Sequence, residues 1–148
     1  MSSDNKAIIL RLYEEVWNKR KLDVVKEIIS PSHALQAPTH AGTSVGPEAY
    51  KSQVALFLAG YPDLRFSVED TVAEKDKVVA CWTFSGTHEG DFMGVPATNR
   101  RVSVDGMTIH HIAGGKIMDS YSNWDALGMM QQLGVVPAFG QAKSFTAR

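Results

Sequence analysis

Asp125 and His111 are the two side chains whose types and placement suit acid–base chemistry. Asp125 stands where the strand-like run Lys116 to Trp124 hands over to a helical run, Ala126 to Leu133. An aspartate at such a junction has two readings. It can cap the helix by accepting hydrogen bonds from its unpaired amides, or it can act as a base. An exposed aspartate with a pKa of ~3.9 is a weak base, but desolvation in an apolar cavity raises that value. A C–H next to a carbonyl then needs only a base at the proton and a donor at the oxygen that becomes an enolate. The candidate donors are His111, Tyr121, Asn123 and Tyr13.

Other chemistries are absent from the sequence. There is no Gly-rich phosphate loop, no serine in a nucleophile-elbow context and no cysteine-based metal or redox motif. Five histidines invite a metal reading, yet His110 and His111 are adjacent on a strand and point to opposite faces, and His33, His40 and His88 lack ligand spacing. No metal and no cofactor are expected. Fifteen basic against sixteen acidic residues, with no long run of either sign, give no electrostatic footprint for nucleic acid or an acidic membrane. No segment approaches the ~20 apolar residues of a membrane span. The single cysteine, Cys81, fits a reducing compartment, and the polar start Met1 to Asn5 does not read as a signal peptide. The expectation is a cytoplasmic protein.

Which histidine faces Asp125 depends on one hairpin. Ala113-Gly114-Gly115 joins two alternating runs, and glycine supplies the positive φ of a tight turn. A two-residue Gly114-Gly115 loop pairs Ala113 with Lys116 and puts His110 on the face of Asp125. A three-residue loop pairs Ile112 with Lys116, and His111 then shares a face with Asp119, Tyr121, Asn123 and Asp125. The second is preferred, because it sends His110, Ser120 and Ser122 outward instead of burying them in an otherwise apolar face.

The remaining elements follow from periodicity. Ile9, Leu12, Tyr13, Val16 and Trp17 form one apolar stripe of a helix over Lys6 to Arg20. A shorter helix spans Leu22 to Ile29 and stops at Ser30-Pro31. His33, Gln36 and His40 fall in a loop around a short strand between Ser32 and Val45. Gly46-Pro47-Glu48 opens a third helix that runs to about Ala59, with Phe57 on its apolar face and Tyr61 just beyond it. Strands follow over Arg65 to Ala73, Val78 to His88 and Arg100 to Ile112. In the second of these, Trp82 and His88 belong to the inward set. In the third, the apolar parity switches from Val102 and Val104 to Met107 and Ile109, and Gly106 at the switch predicts a bulge. By length the 148 residues form a single domain, 1–148, with a core over about 6–134 and a tail over 135–148.

The run Gly86-Thr87-His88-Glu89-Gly90-Asp91-Phe92-Met93-Gly94-Val95-Pro96-Ala97-Thr98-Asn99-Arg100, then Gly115-Lys116-Ile117, Trp124-Asp125-Ala126-Leu127-Gly128 and Gln131-Gln132-Leu133-Gly134, resembles the SnoaL-like polyketide cyclases of the nuclear-transport-factor-2-like superfamily. The resemblance covers roughly Lys6 to Gly134. It implies a cone-shaped α+β fold of the NTF2-like, cystatin-like kind. Three N-terminal helices would pack on a strongly curved, mixed, mainly antiparallel sheet, with a short C-terminal helix. It also implies an acid–base role for Asp125 in an intramolecular aldol closure, with His111 in the same pocket. Tyr13 and Trp17 would lie at the mouth of the cone and Phe57 and Tyr61 over it. Trp82, Ile109, Tyr121 and Asn123 would line the wall, with His88 near the rim. Where this chain has Gln36, family members often carry a histidine.

Three further readings compete with a cyclase or isomerase. The cone could hold a small apolar ligand without reacting, or the outer sheet face could bind another protein. An epoxide-hydrolase-like set of acid, arginine and acid would use Arg101 and Asp105, but the expected Gly106 bulge keeps both from sharing a face with Asp125. A homodimer is expected, since the outer sheet face needs a cover.

Overall fold

Five strands hold the site, and the alternation in the fourth of them decides where the site lies. A computed structural model describes residues 2–37 and 45–138. The helix α1 (Ser2–Arg11) continues as a π-helical segment, Leu12–Asn18, and a 3₁₀ turn, Leu22–Val24, leads into α2 (Val25–Ile28). Then come β1 (Ile29–Gln36), α3 (Pro47–Gly60), β2 (Arg65–Glu74), β3 (Lys77–Thr87), β4 (Arg101–Ala113), β5 (Lys116–Trp124) and α4 (Ala126–Gln132). The sheet order is β1-β5-β4-β3-β2. All pairings are antiparallel except β1 with β5. This is the expected α+β architecture, helices on one face of a mixed, mainly antiparallel sheet. His40 and the tail from residue 139 onward lie outside the described residues.

The expected helical stripe is buried as a unit: Ile9, Leu12, Tyr13, Val16 and Trp17 all belong to the core. The π-helical turn, with its wider i→i+5 bonding such as Lys19 N to Glu14 O, carries Tyr13 and Trp17 on its sheet-facing side. Such turns are rare and often mark functional positions. The short strand expected between Ser32 and Val45 is β1, which starts earlier than expected, at Ile29, and passes through Pro31. Pro31 is tolerated there because β1 is an edge strand, where a missing amide hydrogen need not break a ladder.

Two expectations about β4 are overturned by one fact. Its pairing with β3 runs unbroken through Gly106, opposite Trp82, and its pairing with β5 begins there, opposite Trp124. There is no bulge at Gly106 and no switch of parity. Val102, Val104, Gly106, Thr108, His110 and Ile112 face the helices, while Met107 and Ile109 are exposed on the outer face. Gly106 is a packing residue: an added Cβ would sit 2.4 Å from Cη2 of Trp82 and 2.6 Å from Cβ of Trp124. Gly106→Ala is therefore expected to cost about 1–3 kcal/mol through overpacking, read as a lowered urea midpoint at unchanged slope.

The hairpin is the two-residue Gly114-Gly115 turn and not the preferred three-residue one. Ala113 pairs with Lys116 around a two-residue Gly114-Gly115 loop, with both glycines at positive φ, 58° and 76°. The register then shifts between the Ile112↔Ile117 and His111↔Asp119 pairs, which leaves Met118 as the extra residue of a bulge. Beyond it, His110 pairs with Ser120 and His111 with Asp119. The predicted groupings hold with their faces reversed: His110 and Ser120 are buried and Ser122 is half-buried on the inner face, and His111, Asp119, Tyr121 and Asn123 turn outward.

Candidate active site

Small and polar residues on the inner face of β4 and β5 leave a hollow that no large side chain among the described residues fills. Between that face and the helices lies a cavity of about 60 Å³. Its apolar wall is aromatic: Trp17, Phe57, Phe66, Trp82, Phe84 and Trp124 all contribute. These rings brace one another, with Trp17 edge-on to Phe57 at 5.7 Å and Phe66 edge-on to Trp82 at 5.0 Å. Such pairing adds about 0.5–1.5 kcal/mol per contact beyond burial and holds the wall in place. Leu35, Ala37, Tyr50 and Gln53 also line the cavity.

Two polar chains run through this wall. In the first, the Tyr13 hydroxyl lies 3.1 Å from Nε2 of His110, Nδ1 of His110 lies 2.9 Å from Oγ of Ser120, and that oxygen lies 3.0 Å from Nε2 of His33. In the second, the Trp82 indole donates to Oγ1 of Thr108 at 2.9 Å, and Thr108 meets Oγ of Ser122 at 2.6 Å. Separately, the Trp17 indole donates to the Tyr50 hydroxyl at 2.9 Å. Bonding of this kind is what makes polar groups affordable in a buried sheet face, and the sequence-based preference for an apolar face overlooked it.

Burial sets the charge states. Desolvation holds the His110 imidazole far below its ordinary value, at about 3, with neighbouring His33 pushing the same way. Burial likewise lowers His33 to about 4, against a smaller opposing pull from Asp119. Both rings are therefore neutral near pH 7. Burial raises the Tyr13 phenol well above its usual value, helped by Tyr50 and opposed by the Thr108 hydroxyl, so it too stays neutral and serves as a donor.

Of the residues predicted from sequence, Tyr13, Trp17, Phe57 and Trp82 line the cavity. The others do not. Asp125 is exposed, and its Oδ1 accepts from the Gly128 amide at 2.8 Å as the cap of α4. It borders an outer groove with Asp105, Asn123 and Met107. His111 sits on the outer face between Asp119 and Asp76, 3.1 and 2.8 Å away, and these carboxylates raise its pKa, Asp119 foremost. Ile109 and Tyr121 are 44% and 59% exposed, because the strand parity never switches. Asn123 is exposed on the same outer face. Tyr61 and His88 are buried away from the cavity, ring centroids 5.4 Å apart, with Thr98 N–H donating to Nδ1 of His88. Arg101 turns to Asp63 at 3.5 Å and is not among the groove's lining residues, so no acid–arginine–acid set assembles with Asp125.

Reasoning from sequence missed His110, Ser120, Ser122, Thr108 and Trp124. The usable signal was Trp124. A bulky aromatic in phase with Ser120 and Ser122 along β5 marks their face as the inner one.

The family model for SnoaL-like polyketide cyclases matches residues 7–133. The chain belongs to the SnoaL-like polyketide cyclase family. It is 30% identical over 120 residues to the nogalonic acid methyl ester cyclase of Streptomyces nogalater, covering 80% of this chain and 89% of that one. It is 32% identical over 129 residues to the aklanonic acid methyl ester cyclase of Streptomyces peucetius, covering 85% and 88%. Among solved structures, a SnoaL-like protein from Jannaschia sp. CCS1 superposes with a TM-score of 0.83 at 27% identity, covering 92% of this chain and 95% of that one. TsrD from Streptomyces laurentii does so at 0.81 and 26%, covering 90% and 97%. Among the described residues, no helix is long and apolar enough to cross a membrane.

Proposed function

We propose that this member of the family is a cofactor-independent acid–base enzyme, which enolises a small apolar carbonyl compound and so promotes intramolecular aldol closure or isomerisation. The observation that carries this reading is the convergence of a neutral buried imidazole, His110, with the hydroxyls of Tyr13, Thr108, Ser120 and Ser122 in an aromatic cavity. The hydroxyls are donors placed where an enolate oxygen would need them, within an aromatic wall. The imidazole is the one basic group lining the cavity among the described residues. Both roles move from the exterior pair, Asp125 and His111, to the interior.

The same electrostatics restrict the substrate. A ring nitrogen whose protonated form is disfavoured by burial is a weak base, so the C–H must be acidic in its own right, as between two carbonyls of a polyketide chain. A volume of about 60 Å³ has room for roughly four to six water-sized groups at ~10–15 Å³ each. The reacting end of a molecule would enter, and the rest would project past Leu35, Ala37 and Gln53. The methyl ester substrates in the names of the two relatives offer one starting panel.

Among the described residues no carboxylate lines the cavity, which favours one rival, a protein that holds such a compound without changing it. Both are tested by identifying what co-purifies with the protein by mass spectrometry, then incubating it with fresh protein in D₂O. Deuterium uptake next to the carbonyl, or a cyclised product, is the expected result. Recovery of an unexchanged, unaltered compound would leave only the binding reading. We also assign the exposed Met107, Ile109 and Tyr121 to a homodimer contact, for which sedimentation at two concentrations is the check.

A further inference from the structure

We propose that Asn18 is a positioning residue of this site, which keeps the cavity closed along the seam between the first helical segment and β2 by fastening the one to the other. The proposal rests on the function above and deepens it, because hydrogen bonds to a developing enolate are worth most where water is kept out. Tyr13 and Phe66 each border two spaces at that seam. Both line the cavity, and both line an outer groove. Their ring centroids are 5.3 Å apart and the residues are 5% and 7% exposed, so this pair is the partition between the two spaces. Asn18 lines the groove and not the cavity.

The fastening is a pair of hydrogen bonds. The Phe66 N–H donates to Oδ1 of Asn18 at 2.7 Å, and Nδ2 of Asn18 donates to the Phe66 carbonyl at 2.9 Å. Nδ2 also donates to Oε2 of Glu14 at 3.3 Å. The partners fix which way the amide lies, since a flipped group would set N–H against N–H and oxygen against oxygen. β2 is the last strand of the sheet, and the carboxamide stands in for the neighbouring strand that an edge residue lacks. The π-helical winding of Leu12–Asn18 is what allows it. Residues at i and i+5 fall on different sides of an α-helix, whereas i→i+5 bonding brings them over one another. Tyr13 and Asn18 therefore reach the same groove. One side chain thus ties the segment that carries Tyr13 and Trp17 to the strand that carries Phe66, and all three of those rings line the cavity.

The test needs no substrate. The protein's three tryptophans, Trp17, Trp82 and Trp124, all line the cavity, so quenching of their fluorescence by acrylamide reads how readily a small polar molecule reaches that wall. Asn18→Ala should raise the quenching constant by about twofold or more under native conditions, as a rare local opening becomes populated. Asn18→Asp should do the same at pH 7, because it keeps the shape and the bond from the Phe66 N–H but sets a second carboxylate oxygen against the Phe66 carbonyl. Asp63→Ala is the control. It removes two hydrogen bonds to Thr87 away from the cavity, and should lower the urea midpoint while leaving the quenching constant as in the wild type. Unchanged quenching in both Asn18 variants, or an equal rise in Asp63→Ala, would overturn the proposal. Should the Asn18 variants fail to fold, hydrogen exchange in the wild type decides: the Phe66 amide should exchange slowly although no strand flanks it on that side, and rapid exchange would refute the clasp. A protein that passes these tests and enolises nothing would refute the enzyme reading and leave the clasp standing, whereas unchanged quenching beside normal turnover would do the reverse.

Discussion

Replacing His110 by glutamine is expected to lower turnover of an accepted enolisable substrate by about 10²- to 10⁴-fold, the usual contribution of a positioned acid–base group, while Asp125→Asn stays close to the parent rate. The contrast follows from where each group stands. His110 is buried in the cavity wall between Tyr13 and Ser120, whereas the Asp125 carboxylate is spent on the Gly128 amide at the surface. Asparagine caps a helix about as well as aspartate, so Asp125→Asn should also leave the thermal midpoint nearly unchanged, and Asp125→Ala should cost about 1 kcal/mol. Steady-state rates with the compound identified above, alongside urea melts of the three variants, make the comparison. An inactive Asp125→Asn beside an active His110→Gln would return the base to the helix cap and sink the interior assignment.

The fold was legible in the sequence for a physical reason: core positions repeat. The stripe Ile9, Leu12, Tyr13, Val16 and Trp17 and the inward Trp82 and His88 were identified from periodicity, and all are buried. The site was harder because it breaks that rule. Apolar periodicity assigns polar residues to the outside, and a cavity built by Thr108, His110, Ser120 and Ser122 uses polar residues on the inside. The error spread from there. Once Met107 and Ile109 were taken as inward, Gly106 had to become a bulge and His111 had to replace His110. Nothing local in the sequence announces the Met118 bulge that reconciles the tight Gly114-Gly115 turn with the observed faces. Asp125 was correctly placed at the strand-to-helix junction. Its direction was not readable, because a cap and a catalytic carboxylate occupy the same position in the chain.

Acid should destabilise this protein between pH 6.5 and 5, before most carboxylates titrate, and the two interior histidines should account for most of the effect. An unfolded histidine has a pKa of ~6.5. In the folded state burial holds His33 near about 4 and His110 near about 3. As pH falls below the unfolded value, the unfolded chain takes up a proton at each site and the folded chain does not. Stability therefore falls with falling pH, by up to about 1.4 kcal/mol per pH unit per histidine. His111 works in the opposite sense. Its folded pKa is raised by Asp119 and Asp76, so its contribution is present below ~6.5 and is lost as pH rises through the folded value. Because that cluster is exposed, its worth is under about 1 kcal/mol. Urea midpoints measured at closely spaced pH values should show a steep acid limb in the wild type, a limb about half as steep in His110→Gln, and an unchanged limb in His111→Gln. A flat wild-type profile over that window would mean that water reaches the imidazoles, and with it the dry cavity on which the proposed chemistry depends would be lost.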